Sequence, residues 1–247
     1  MKSSISILLG ISVAAVLLPS CSSYYDEHYQ GAIAGNAADQ YAIASCYDEG
    51  DRGVPEGKAD KRQAASWYLK AAKQGHAEAQ NNLGLLYRDG KGVPQDKEEA
   101  FEWFSKSAMQ GNKYAQYNLG NMFSDMQCSF ESDSPEHKYT ADVLKKAAHW
   151  YALAAAQGHH GAQYQLARCY DRATYNNWRR TKGVFYDLGG DYKNVKAYWA
   201  LANKWYSEAA KGGNEKYKED YERFKKEGSA VMASANLGPL YFSEVAY

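Results

Sequence analysis

One phrase recurs along the chain: Gln-Gly-His at 74–76, Gln-Gly-Asn at 110–112 and Gln-Gly-His at 157–159. The segments between these marks align. Trp67, Trp103, Trp150 and Trp205 are each followed by an aromatic residue (Tyr68, Phe104, Tyr151, Tyr206) and preceded, three positions earlier, by Ala64, Ala100, Ala147 and Ala202. The register then runs through Ala71, Ser107, Ala154 and Ala209, through Ala72, Ala108, Ala155 and Ala210, and on to Gly75, Gly111, Gly158 and Gly213. Steps of three and one trace a single helical face, and the glycine falls where a helix needs a left-handed C-cap. A repeat of this length cannot bury its apolar face alone, so copies must stack on one another.

A second helix opens after each glycine. Gln40, Gln80, Gln116 and Gln163 recur there, followed three residues on by Ile43, Leu83, Leu119 and Leu166. A small residue comes next (Ala44, Gly84, Gly120, Ala167), then an aromatic (Tyr47, Tyr87, Phe123, Tyr170). Glycine inside a helix costs ~1 kcal/mol against alanine, so its recurrence implies close helix–helix approach. The unit is helix, loop, helix. Trp67 to Trp103 spans 36 residues, Trp103 to Trp150 spans 47 and Trp150 to Trp205 spans 55, which places insertions of 11 and 19 residues between the two helices of the third and fourth units.

The stretch AEAQNNLGLLYRDGKGVPQDKEEAFEWFSKSAMQGN resembles a full Sel1-like repeat, a tetratricopeptide-like motif. The resemblance covers residues 36–214 in about four copies and implies an all-α fold, an α-solenoid with a concave binding face. Residues 215–247 read as a C-terminal capping segment in which Tyr217, Tyr221 and Phe224 form the sealing stripe of a charged helix. If the first helix of each unit lines the concave side, as in related solenoids, the position after the recurring glutamine faces the groove: Tyr41, Asn81, Tyr117 and Tyr164. Four residues further lie Ser45, Leu85, Asn121 and Arg168. Of these, Tyr41, Asn81, Leu85, Tyr117, Asn121, Tyr164 and Arg168 form the candidate partner-binding set, because tyrosine supplies contact area at low entropic cost. The alternative is that the tyrosines pack against the adjacent repeat.

Residues 1–20 read as a signal peptide, with one lysine before an apolar run from Ile5 to Leu18 that is short for a bilayer span. Leu18-Pro19-Ser20-Cys21 resembles the bacterial lipobox, which implies Cys21 as the lipidated mature N-terminus and residues 21–35 as a linker to the repeats. Ser22 then points to the outer membrane; plain secretion, a periplasmic location and an uncleaved anchor are the alternatives.

Twenty-nine basic residues balance 29 acidic ones, which argues against nucleic acid as a partner, since such binders neutralise many phosphates. The chain carries no G-x-S-x-G, H-E-x-x-H, C-x-x-C or phosphate-loop motif, so no catalytic residue, metal or cofactor is expected. His159 holds the slot of His76 and Asn112, where a histidine near a helix C-terminus interacts with the dipole. Cys46 and Cys169 share the slot of Leu86 and Met122 and read as small core side chains, with a Cys128–Cys169 bridge left open. The expected function is a periplasm- or surface-facing lipoprotein scaffold that binds a protein or peptide. A hydrolase acting on cell wall or β-lactams, suggested for some secreted members of the family, and non-catalytic peptidoglycan binding are the alternatives.

Overall fold

Wherever the repeat spacing puts an apolar face, the chain is helical. The computed structural model describes residues 21–50, 54, 58–128, 137–180 and 192–234, and these form α1 (Cys21–Ile33), α2 (Ala37–Glu49), α3 (Lys61–Lys73), α4 (Ala77–Asp89), α5 (Lys97–Met109), α6 (Lys113–Cys128), α7 (His137–Ala156), α8 (His160–Arg180), α9 (Tyr192–Lys211) and α10 (Glu215–Ser234). Each helix packs on the one before it and the one after it. The four units are α2–α3, α4–α5, α6–α7 and α8–α9, an α-solenoid with no strand among the described residues. Asp60 and Asp96 cap α3 and α5, their carboxylates accepting first-turn N–H groups, so both glycine-rich loops end in a helix start.

The insertions are mostly helix. Helices α2 to α5 have 13 residues each, whereas α6 and α7 have 16 and 20, and α8 and α9 have 21 and 20. Extra length in the third and fourth units therefore goes largely into extending the helices.

The segment expected as a linker, 21–35, is instead α1 and its exit turn. Tyr25 and Ala32 are buried in one cluster with Ile43, Cys46 and Val54, and the Tyr25 and Tyr47 hydroxyls lie 3.0 Å apart. His28 Nδ1 meets Asp39 Oδ1 at 2.6 Å. The exit turn from α1 has the same bonding as the later unit ends, with the Asn36 N–H donating to the Gly31 carbonyl. Helix α1 is thus a second helix without a first, a half-unit closing the N-terminal end. It escapes a search for the repeat because it lacks the Trp-aromatic pair and has Ala34 in place of the turn glutamine. At the other end, Tyr217, Tyr221 and Phe224 of α10 pack with Tyr164, Trp199 and Tyr206, the expected seal.

The deepest recurring side chain is the aromatic after the tryptophan. Tyr68, Phe104, Tyr151 and Tyr206 are buried, whereas Trp67, Trp150 and Trp205 are only half-buried and Lys70 lies 3.6 Å from the Trp67 ring centroid. Trp103 is buried as well, at 8% exposure, while the other three tryptophans flank the core that the following aromatic fills. The small slot in the facing helix is explained by the same ring: a Cβ at Gly84 would stand 2.8 Å from Phe104, and one at Gly120 would stand 2.6 Å from Tyr151. Two variants separate these roles. Phe104→Ala should cost about 3–5 kcal/mol in chemical denaturation, clearly more than Trp67→Ala. Gly84→Ala should cost about 1–3 kcal/mol by overpacking, although alanine is the better helix former.

Candidate functional site

Between consecutive units the chain turns on three residues. At the end of α3 the His76 N–H donates to the Ala71 carbonyl while Gly75 sits at φ +91; Asn112 to Ser107 and His159 to Ala154 repeat the bond. This is the Schellman closure, and it requires the left-handed glycine. The residue that completes it then caps the next helix. Asn36 Oδ1 accepts from the Ala38 and Asp39 N–H groups, Asn112 Oδ1 from Tyr114 and Ala115, His76 Nδ1 from Ala79 at 3.3 Å and His159 Nδ1 from Ala162 at 3.0 Å. The sequence reading placed His159 at a helix C-terminus; it instead works at the N-terminus of α8, as an acceptor.

The recurring glutamine spans this joint. Gln40, Gln80, Gln116 and Gln163 are buried, and each donates through Nε2 to a last-turn carbonyl of the preceding helix: Ala32, Ala72, Ala108 and Ala155, at 3.0 to 3.3 Å. In the first three units the same side chain accepts from the glutamine of its own unit's turn, Gln74, Gln110 or Gln157, at 2.7 to 2.9 Å. The fourth unit has Gly212 at the turn position. There His160 Nδ1 meets Gln163 Oε1 at 3.1 Å, and a Cβ on Gly212 would lie 2.5 Å from the His160 ring. His160 replaces the missing glutamine.

The candidate binding residues occupy the same joints. Tyr41 stacks on His76 with centroids 4.7 Å apart, and Tyr117 stacks on His159 at 4.6 Å. Tyr164 stacks on Tyr217 at 4.4 Å and donates its hydroxyl to Asp220; burial and that bond push the hydroxyl up to about 12. Asn81 accepts from Asn118 Nδ2 at 2.9 Å. Asn81 and Tyr164 are only 6% and 8% exposed, which corrects their placement on an open groove. Tyr41 and Tyr117 are half-buried. The physical reason is that the chain further on supplies each ring a partner: the joint residues His76 and His159 for Tyr41 and Tyr117, and Tyr217 of α10 for Tyr164.

The second row tracks the core aromatic of its own unit. Tyr151 donates to Asn121 Oδ1 at 2.8 Å, and the Tyr68 hydroxyl lies beside Ser45 and receives the Asn82 amide at 3.1 Å. Leu85 packs with the cluster of Phe104, the ring that has no hydroxyl. Where the ring is tyrosine the slot is polar, and where it is phenylalanine the slot is apolar. Unit four departs from this: Tyr206 donates to Asp171 at 3.3 Å instead, and burial pushes the Asp171 carboxyl above the usual carboxylate range. Arg168 is left exposed, with its guanidinium 5.8 Å from the Tyr164 ring centroid and a hydrogen bond to Gln165 at 3.2 Å. Arg168 alone of the seven candidates is exposed.

Histidine chemistry is committed to structure at four positions: His28 on Asp39, His76 and His159 as caps, His160 on Gln163. Among the described residues no group of three or more His, Cys, Asp or Glu is arranged to hold a metal. Cys46 is buried and Cys169 half-buried, as core positions predict; the Cys128 side chain, residues 1–20, which the sequence reads as a signal peptide, and residues 235–247 lie outside the described residues. No described helix is long and apolar enough to cross a membrane.

The family model for the Sel1 repeat matches residues 37–76, 77–112, 113–159, 160–174 and 200–214. The first three spans each run between successive turns, and the last two flank the second insertion. Among solved structures, the chain is similar to a protective antigen present in uropathogenic Escherichia coli strains that displays an SLR fold, at 23% identity and a TM-score of 0.54. That match covers 87% of this chain and 45% of the antigen, so this chain spans less than half its length. A Sel1 repeat protein from Oxalobacter formigenes matches at 23% identity and a TM-score of 0.48, over 85% of this chain and 99% of that one. No curated protein matches the chain.

The joint makes a direct demand on Gln116. Gln116→Ala removes two bonds across the joint, to the Ala108 carbonyl and from the Gln157 amide, both of which keep a partner on Gly111, and should lower stability by about 1–3 kcal/mol in urea denaturation. Loss of Gln157, which is exposed, should cost less.

Proposed function

Because the chain belongs to the Sel1 repeat family, whose solenoids commonly mediate protein–protein interaction, we propose that it is a non-catalytic scaffold of the bacterial cell envelope. A lipid on Cys21 anchors it, with the outer membrane as its address, and a protein or peptide docks along the inner helices α2, α4, α6 and α8. Acyl chains contribute ~0.8 kcal/mol per buried CH₂, so more than one chain holds such a protein stably on a bilayer.

One observation carries the docking reading. In the first three units the row of Ser45, Leu85 and Asn121 answers to the ring behind it, whereas in the fourth Asp171 takes over that duty and Arg168 faces solvent. An exposed guanidinium near the Tyr164 ring suits a carboxylate-bearing segment, since planar bidentate pairing is the strength of arginine. The half-buried Tyr41 and Tyr117 add aromatic rings further along the same helices. The hydrolase alternative draws no support from the family match or from His28, His76, His159 and His160, which are engaged in caps and joints.

Two experiments test the two halves separately. Cys21→Ala should move the protein from the membrane fraction to the soluble fraction of the native organism; unchanged membrane association removes the lipid anchor. A photo-crosslinking residue at position 165, beside Arg168 on α8, should trap a discrete partner that the same residue at position 70 on α3 does not. Arg168→Glu should weaken capture of that partner by about tenfold or more, the range of a single interface anchor. Equal crosslinking from both positions removes the inner-face reading.

A further inference from the structure

The three inter-unit joints share one backbone geometry and differ in the atom that caps the next helix. Asn112 offers an amide oxygen, which does not titrate. His76 and His159 offer Nδ1, which accepts the capping N–H only while that nitrogen carries no proton. An imidazolium has two N–H donors and no acceptor, and its charge meets the positive end of the helix dipole.

The surroundings of the two histidines are opposite in sign. His76 has the Glu78 carboxylate at 3.4 Å, so a proton there gains an ion pair as it loses the cap. His159 faces Lys113 at the start of α6 and neighbours His160 on α8, and both oppose a second positive charge. From α6 it also meets the neutral rings of Tyr117, stacked at 4.6 Å, and Tyr114, edge-on at 5.4 Å. The end of α7 contributes only the Ala154 carbonyl, which accepts the His159 N–H. From α10, the neutral Tyr217 ring lies near Tyr117.

We propose that the joint between the third and fourth units is an acid-labile hinge, in which protonation of His159 removes the cap of α8 and loosens the fourth unit with α10 from the rest of the array. The Asn112 joint holds under the same conditions. Burial depresses the His159 pKa below its ordinary value of 6.5, so the sign is fixed. The folded state favours neutral imidazole, the stabilisation is complete above about pH 6.5, and it is lost as the pH falls through and below that value.

Hydrogen–deuterium exchange on the whole mature chain at pH 7.5 and pH 5.0, corrected for intrinsic exchange, reads each joint separately. Protection of peptides covering 160–166 should fall about threefold to tenfold more on acidification than protection of those covering 113–119, the factor that a lost N-cap corresponds to. His159→Asn installs the residue native to the 112 slot and should abolish that excess. Equal losses at the two joints in the unsubstituted chain overturn the proposal, and so does an acid response that survives in His159→Asn.

Discussion

One buried side-chain amide per unit sets how this array is assembled. The helix faces that meet at each joint are rich in alanine: Ala72 and Ala79, Ala108 and Ala115, and Ala155 and Ala162 are all buried. Short side chains bring the backbones close, but apolar contact has no direction and leaves the helices able to slide or rotate. The glutamine removes that freedom. Its amide must reach a carbonyl in the last turn of the previous helix, and a buried polar group left without that bond costs more than the bond itself contributes. Alanine sets the distance and glutamine sets the register. Even where the turn glutamine is lost, in the fourth unit, the second partner of Gln163 is restored by His160 and made room for by Gly212.

Much of this was legible in the sequence, since recurrence at fixed spacing exposes every position that the architecture requires. Helix, loop and turn, and a close helix–helix approach at the recurring glycine, all follow from alignment of the copies. What recurrence does not reveal is the partner. Gln80 and Gln116 stand out as repeated, yet nothing local says that they bond across the joint. Helix α1 was missed for a related reason: it keeps the closing turn and the buried face but not the Trp-aromatic signature, so a pattern built on the signature reads past it.

The candidate site shows the same limit more sharply. Variable positions on a repeated helix are natural places to look for specificity, and that logic selected Asn81, Tyr164 and their neighbours. Variation has a second source, however. Asn121 and Leu85 differ because Tyr151 and Phe104 differ, and Tyr164 is buried because α10 sets Tyr217 and Asp220 against it. A change that follows another change inside the same molecule carries information about packing. Only where that link is broken, as at Arg168, does the varying side chain stay exposed.

The two kinds of connection in this chain have unequal tolerance for growth. Between units, three consecutive residues both end one helix and start the next, and the flanking glutamines bond across the gap, so an added residue there would separate the donor from its carbonyl. Within units, the connection has already accepted 11 extra residues in one place and 19 in another, with every joint bond of the third unit intact. Since successive helices run antiparallel, all of the short turns fall along one margin of the solenoid and all of the in-unit connections along the other. Evolution can therefore lengthen, decorate or diversify this protein along a single margin, while the opposite one stays the same from copy to copy.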